Sequence, residues 1–196
     1  PRGYHIEFGG GFSMPGLGSG HGAARKAGYG QNVKKLMREG YGSRVGFAGR
    51  GEMIPNRFSY CEIDPSVVDD WGIPVLRFHF KFSDYEWKQA RHMEQTFKGI
   101  IDALGGSVTN VGNQWEKSGI SMGGSIIHEV GTACMGTDPR SSVLNSYCQA
   151  HEVKNLFVTD GSSFVTNPDK NPTLTINALS WRAADYLAEE LRKGNV

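Results

Sequence analysis

Two polar residues are candidates for a proton-transfer step. The run Ile126-Ile127-His128-Glu129-Val130-Gly131-Thr132-Ala133-Cys134-Met135-Gly136 carries an imidazole out of an apolar segment into glycine-flanked turns. Histidine is the side chain whose ordinary titration lies closest to neutral pH, so at such a place it can take a proton from a bound hydroxyl. On these residues alone the commoner role is a core or loop histidine whose ring is satisfied by backbone groups. Asn171 is the second candidate. Its amide both donates and accepts, and it directly precedes Pro172-Thr173 and an apolar helical pattern, where the positive end of a helix dipole favours developing negative charge. The competing role for Asn171 is a helix N-cap.

Other candidates carry less. Gly18-Ser19-Gly20-His21-Gly22-Ala23 matches G-x-G-x-x-A, a variant of the dinucleotide fingerprint, but Ser13-Met14-Pro15-Gly16-Leu17 ahead of it is no apolar strand and no βαβ unit follows. It reads as a structural loop. His79 falls on the polar side of a strand pattern, His92 within a helical one, and His151 before an apolar run. Cys61, Cys134 and Cys148 cannot all pair internally and have no Cys-x-x-Cys spacing, which speaks against a disulfide framework and a structural zinc site, and no metal ligand set is assigned.

These residues need elements to hold them. Tyr4-His5-Ile6-Glu7-Phe8 alternates and predicts a short strand; a glycine-rich loop then runs to about Gly30, with a helix over Gln31 to Glu39 and a strand over Arg44 to Ala48. The clearest alternation is Val75 to Phe82, with Leu76, Phe78, Phe80 and Phe82 on one side and Arg77, His79 and Lys81 on the other, which predicts a half-buried strand of an antiparallel sheet. Ser83 with Glu86 three residues on forms a capping-box pattern. It opens a helix from Asp84 to about Leu104 that stops at Gly105-Gly106. Ser107 to Trp115 is expected as a returning strand, and Leu156-Phe157-Val158-Thr159-Asp160 as a buried strand ending in a polar turn. Ile176, Leu179, Ala183, Leu187 and Leu191 follow helical spacing after Pro172, a residue suited to a helix start because its missing amide hydrogen would be unpaired there.

Composition bounds the classes. The 196 residues include 27 glycines, 15 of them before position 52, and the charges nearly cancel at +1. Without a Gly-X-Y period collagen is excluded, and 11% aromatic with 21% charged residues argues for a folded chain. Near-neutral charge gives no blanket attraction to nucleic acid or anionic lipid. No apolar run approaches a membrane span, and no signal sequence opens the chain. The first residue is Pro1 and not methionine, so the natural start is expected upstream; cytoplasm and periplasm both stay open.

Taken together, His128 to Gly136, Asn155-Leu156-Phe157-Val158-Thr159-Asp160-Gly161-Ser162, Asn171-Pro172-Thr173-Leu174-Thr175, Ala178-Leu179 and Arg182-Ala183-Ala184-Asp185 resemble the C-terminal signature of the glucose-methanol-choline (GMC) oxidoreductases. The resemblance implies an α+β fold: an antiparallel sheet with packed helices from the C-terminal part of the substrate-binding domain (residues 1–117), then a segment with the active-site residues (118–196) that returns to the FAD domain with its C-terminal strand and helix. It implies an FAD-dependent oxidation of an alcohol, a sugar or other polyol, in which His128 serves as base or hydrogen-bond partner to the substrate hydroxyl and Asn171 assists. The hydroxyl proton leaves toward the imidazole as the α-hydrogen passes as hydride to flavin N5, because an alkoxide is the better hydride donor. Negative charge on the reduced flavin would then be met by the helix start at Asn171, Pro172 and Thr173, with Asp160 and Gly161 close to the cofactor through their backbone.

The chain departs from that family in one respect. GMC enzymes are much longer and begin with a strand, a glycine-rich turn and a helix that bind the FAD pyrophosphate, and the sequence has no such unit. It is therefore expected to be the C-terminal part of a longer enzyme, to have the N-terminal FAD-binding region of the same protein as its partner, and to be inactive alone. A non-enzymatic domain that keeps the fold for carbohydrate or partner recognition is the alternative, and saturable sugar binding without flavin would mark it.

Overall fold

The computed structural model describes residues 3–11, 24–26, 28–109 and 119–196. Two compact units divide the chain: His5–Arg50 form one, and Gly51–Val196 with the stretch up to Tyr4 form the other. The G-x-G-x-x-A match, most of the glycine-rich loop before Gly28 and the expected strand from residue 110 onward lie outside the described residues; Ser107 to Thr109 carry no strand.

In the first unit, β1 (Tyr4–Gly10) pairs with β2 (Val45–Gly51), and α1 (Gln31–Gly40) connects them. The strands are held across their faces by a Phe8–Phe47 ring contact at 5.4 Å and by Arg50 Nε donating to Glu7 at 3.3 Å. Gly10 is obligatory, because at φ 151° any added methyl would lie 2.9 Å from the Arg44 carbonyl oxygen.

The second unit opens with a hairpin of β3 (Tyr60–Val68) and β4 (Pro74–His79), antiparallel with Cys61 opposite Phe78 and Ile63 opposite Leu76. Its polar face is tied by His79 Nε2 to Glu62 at 2.9 Å and by a Tyr60–His79 stack at 4.3 Å. The register breaks between Ile63 and Val68. There the buried Asp64 carboxylate accepts from the Ser66 and Val67 amides at 2.8 and 3.0 Å and from Arg77 Nε at 2.8 Å. The Ser66 amide, with these other donors, holds that carboxyl down to about 2 against the opposing effect of burial.

The expected strand is present over Pro74–His79, and it departs from the alternation read over Val75 to Phe82 in two details. Regular pairing ends at His79, because Lys81 turns to the 56–59 loop: its amide donates to Ser59 Oγ at 3.0 Å and its carbonyl accepts from Asn56 Nδ2 at 3.1 Å. Phe80 then lies against Gly123 and edge-on to Phe82 at 4.9 Å. The apolar face is also not half-buried: Ile63, Leu76 and Phe78 are 67%, 56% and 65% exposed, since no described residues form a second layer over it.

Helix α2 (Asp84–Ala103) starts at the capping box read from the sequence, with Ser83 N donating to the Glu86 carboxylate at 2.7 Å and Tyr85 N to Ser83 Oγ at 3.3 Å. Glu86, Gln89 and Met93 are buried. His92 is engaged by the Tyr4 hydroxyl at 2.8 Å.

From Gly119 to Asn171 the chain is mostly irregular and is held by turns and isolated bridges (Met135 with Leu144, Leu144 with Ala150, Gln149 with Phe157). The tightest packing is here and against the last helix, around the fully buried Leu144, Cys148 and Ser163, with Ala183 at 1% exposure. The segment Leu156 to Asp160 is not a continuous buried strand. It pairs through the one bridge at Phe157, with Ala150 N to Leu156 O and Val158 N to Cys148 O at 2.9 Å each, and Leu156 is exposed. Helix α3 (Thr173–Lys193) ends at Gly194 in the left-handed conformation. Its Ala183 and half-buried Ile176, Leu179 and Leu187 form the inner side, while Leu191 is exposed. No helix among the described residues is long and apolar enough to cross a membrane.

Candidate functional site

His128 lies in the irregular segment ahead of a short ladder. After it, Gly131 N donates to Gly161 O at 3.1 Å, Ala133 N to Ser162 O at 2.9 Å and Met135 N to Ser163 O at 3.0 Å. This pairing binds the histidine segment to the 3-10 turn Gly161–Ser163. His128 itself is half-buried, with φ at 83°. Its carbonyl accepts from Asn167 Nδ2 at 3.1 Å.

The rings of the described histidines separate by partner. His5 meets Glu7 at 3.5 Å, His79 meets Glu62 at 2.9 Å, His92 meets Tyr4 at 2.8 Å, and His151 meets Ser142 Oγ at 3.0 Å. The His128 imidazole has no hydrogen-bond partner among the described residues. A half-buried imidazole with both nitrogens uncommitted is free to engage a bound molecule.

Asp160 and Gly161 are placed by that same turn. The Asp160 carboxylate accepts from Ser162 N at 2.8 Å and from the Ser162 hydroxyl. The hydroxyl and then the amide of Ser162 hold its carboxyl below the usual carboxylate value. Asp160 is thus a local cap, and its side chain is already in use. Gly161 is buried where three segments meet: a methyl added there would lie 3.1 Å from Val130 Cγ1, 3.4 Å from Glu129 O and 3.4 Å from Ile176 Cδ1. Gly161→Ala is expected to cost about 1–3 kcal/mol by overpacking, read from the urea midpoint. An unmoved midpoint would mean that the 129–130 backbone yields freely.

Asn171 is exposed and is not the N-cap of α3; Pro172 holds that position and is buried, while Thr173 is exposed. No side chain among the described residues caps the helix, whose first bond runs from Ile176 N to Pro172 O at 2.9 Å. The N–H groups of Thr173, Leu174 and Thr175 therefore have no acceptor within the helix. That donor set suits an anionic or carbonyl-rich edge, as a flavin pyrimidine ring presents. Gly161 lies between the His128 segment and α3, where an added methyl would meet both Val130 and Ile176, and no hydrogen bond among the described residues joins His128 to Asn171 directly.

Asn167 is the residue that sequence reasoning passed over. The available signal was a second Asn-Pro pair, Asn167-Pro168, just ahead of Asn171-Pro172.

Comparison with known proteins agrees with the resemblance. Residues 57–180 match the GMC oxidoreductase family. The chain is 32% identical over 160 residues to the 2-methyl-1,2-propanediol dehydrogenase of Mycolicibacterium austroafricanum, covering 82% of this chain and 28% of that protein. It is 26% identical to the gluconate 2-dehydrogenase flavoprotein of Pantoea cypripedii (84% of this chain, 27% of that protein) and 27% identical to the fructose dehydrogenase large subunit of Gluconobacter japonicus (84% and 29%). The chain thus spans under a third of the length of these relatives. It belongs to the GMC oxidoreductases, a family of generally FAD-dependent enzymes, and covers a C-terminal portion of such a protein.

Proposed function

We propose that this chain forms the proton-accepting side of the site in a flavin-dependent alcohol oxidoreductase. The observation that carries the reading is the imidazole of His128, which has no hydrogen-bond partner among the described residues, beside a turn that packs against the start of α3. His128 accepts the substrate hydroxyl proton at a ring nitrogen, which raises the hydride-donating power of the carbinol carbon. Asn171 donates its amide to the same oxygen. Asn171, Pro172 and Thr173, with the backbone of Asp160 and Gly161, are the residues we assign to holding FAD, which supplies the hydride acceptor when bound. The amides at the start of α3 that have no acceptor within the helix stabilise negative charge there.

The relatives named above are a diol dehydrogenase, a gluconate dehydrogenase and a fructose dehydrogenase, so the substrate class we assign is a sugar or other polyol. Residues 1–117 are assigned to the substrate-binding domain and 118–196 to the segment that returns to the FAD domain. The test is anaerobic reduction of the flavin by these three alcohols in the full-length protein carrying His128→Ala. A wild-type rate would remove the base role.

The partner we assign is the FAD-binding region of the same protein, without which the 196-residue chain is expected to be inactive. Exposed apolar side chains support this: Ile63, Leu76 and Phe78 on the hairpin, and Leu174 and Trp181 on α3. Phe78→Ser in the full-length protein is expected to cost about 1.5–3 kcal/mol, the value of a buried Phe side chain, by urea denaturation. An unchanged midpoint would place that face in water.

A further inference from the structure

We infer that Asn167 is a positioning residue for His128, a role whose catalytic consequence rests on the base assignment above. His128 at φ 83° occupies the left-handed region, where a residue with a side chain is strained and must be held by its surroundings. Among the described residues no hydrogen bond reaches its ring, so the polar hold on this residue acts through the backbone from which the imidazole projects. The side-chain bond to the carbonyl of that strained residue comes from Asn167 Nδ2 at 3.1 Å. The amide orientation is forced, since a carbonyl oxygen only accepts.

Asn167 is itself anchored. Its carbonyl accepts from Met53 N at 3.1 Å in an antiparallel bridge, and Thr166 Oγ1 donates to Met53 O at 3.4 Å. The next amide, Ile54 N, donates to the buried Glu86 carboxylate at 3.0 Å. A continuous path thus runs from the start of α2 through residues 53–54 to Asn167 and on to His128. The Met53 link uses backbone atoms of Asn167, whereas the His128 link uses its side chain. A side-chain substitution therefore cuts the second and spares the first.

A second observation singles out the amide. Asn167 Oδ1 is buried with no hydrogen-bond donor among the described residues. A residue chosen for its own satisfaction would not leave an acceptor orphaned. The arrangement is explained when the donor half of the amide is what the site requires.

The test uses Asn167→Asp and Asn167→Ala in the full-length holoenzyme. The aspartate keeps the shape but sets a carboxylate oxygen against the His128 carbonyl; the alanine removes the group. Without any substrate, nitrogen-15 signals of labelled histidine rings are recorded, with the His128 signal assigned by its loss in His128→Ala. Both variants are expected to move the His128 ring signals and to leave those of His79, His92 and His151 in place. With 2-methyl-1,2-propanediol, gluconate and fructose as reductants, the limiting rate of flavin reduction is expected to fall about 100-fold, the usual cost of a small misplacement, with the half-saturating concentration within threefold of wild type. Adding either change to His128→Ala is expected to bring no further loss. Unmoved His128 signals overturn the positioning role, and moved signals with rates within twofold of wild type overturn its catalytic consequence. Full activity of His128→Ala defeats the base assignment instead, while the ring signals still judge Asn167.

Discussion

A full-length protein carrying His128→Ala is expected to keep its bound flavin and to be reduced by its alcohol about 100- to 10,000-fold more slowly than wild type, the range a positioned general base supplies. That range corresponds to about 2.7–5.4 kcal/mol of lost transition-state stabilisation. Among the described histidines the expectation is specific to this one, because the rings of His5, His79, His92 and His151 are committed to Glu7, Glu62, Tyr4 and Ser142. Their replacement touches local structure and should leave flavin reduction within a few-fold.

Alanine alone is an imperfect probe, because His128 sits at φ 83° and alanine tolerates that conformation poorly. His128→Asn is the companion variant. Asparagine visits the left-handed region more readily than most residues yet lacks a proton-accepting ring. Rate loss in both variants, with flavin absorbance retained, assigns the effect to the imidazole. Reduction within threefold of wild type in both would sink the assignment, and loss in alanine alone would trace the effect to the backbone.

Legibility in the sequence followed the range of the interactions. The start of α2 was readable because Ser83 and Glu86 satisfy each other's backbone within one helical turn, and α3 because Ile176, Leu179 and Ala183 repeat at helical spacing. The partner of β4 was not. In β3 the run Cys61-Glu62-Ile63-Asp64-Pro65-Ser66 loses its alternation at a register break, where Asp64 turns to cap the Ser66 and Val67 amides. The apolar stripe of β4 predicted a half-buried face that is exposed among the described residues, and no pattern within a strand says which segment would cover it. His128 was legible as a residue and as part of a signature. Its anchorage was not, since Asn167 reaches it across 39 positions of irregular chain. The local Asx and Asp turns that organise that chain, at Asp138, Asn145 and Asp160, leave only weak marks on periodicity.

Glu86→Ala is the substitution expected to cost the most stability, about 2–4 kcal/mol, and it reaches further than the helix it caps. One carboxylate accepts from Ser83 N at 2.7 Å, from Ile54 N at 3.0 Å and from the Ser83 hydroxyl. Losing the cap accounts for about 0.5–2 kcal/mol, and leaving a backbone donor unpaired in a part-buried place for about 1–3 kcal/mol more. The two losses share one group, so they do not add in full. Glu86→Gln retains an accepting oxygen at the same reach and is expected to lose only about 1 kcal/mol. Urea denaturation decides the matter: a lower midpoint at unchanged slope reports stability alone, and a loss under about 0.5 kcal/mol in Glu86→Ala would mean that water replaces the carboxylate at little cost. Because Ile54 follows Met53, whose amide holds Asn167, the same variant should disturb the His128 ring signals in the folded protein. The cap of α2 and the proposed base then belong to one hydrogen-bonded path, and a stability defect at Glu86 is read out at the site.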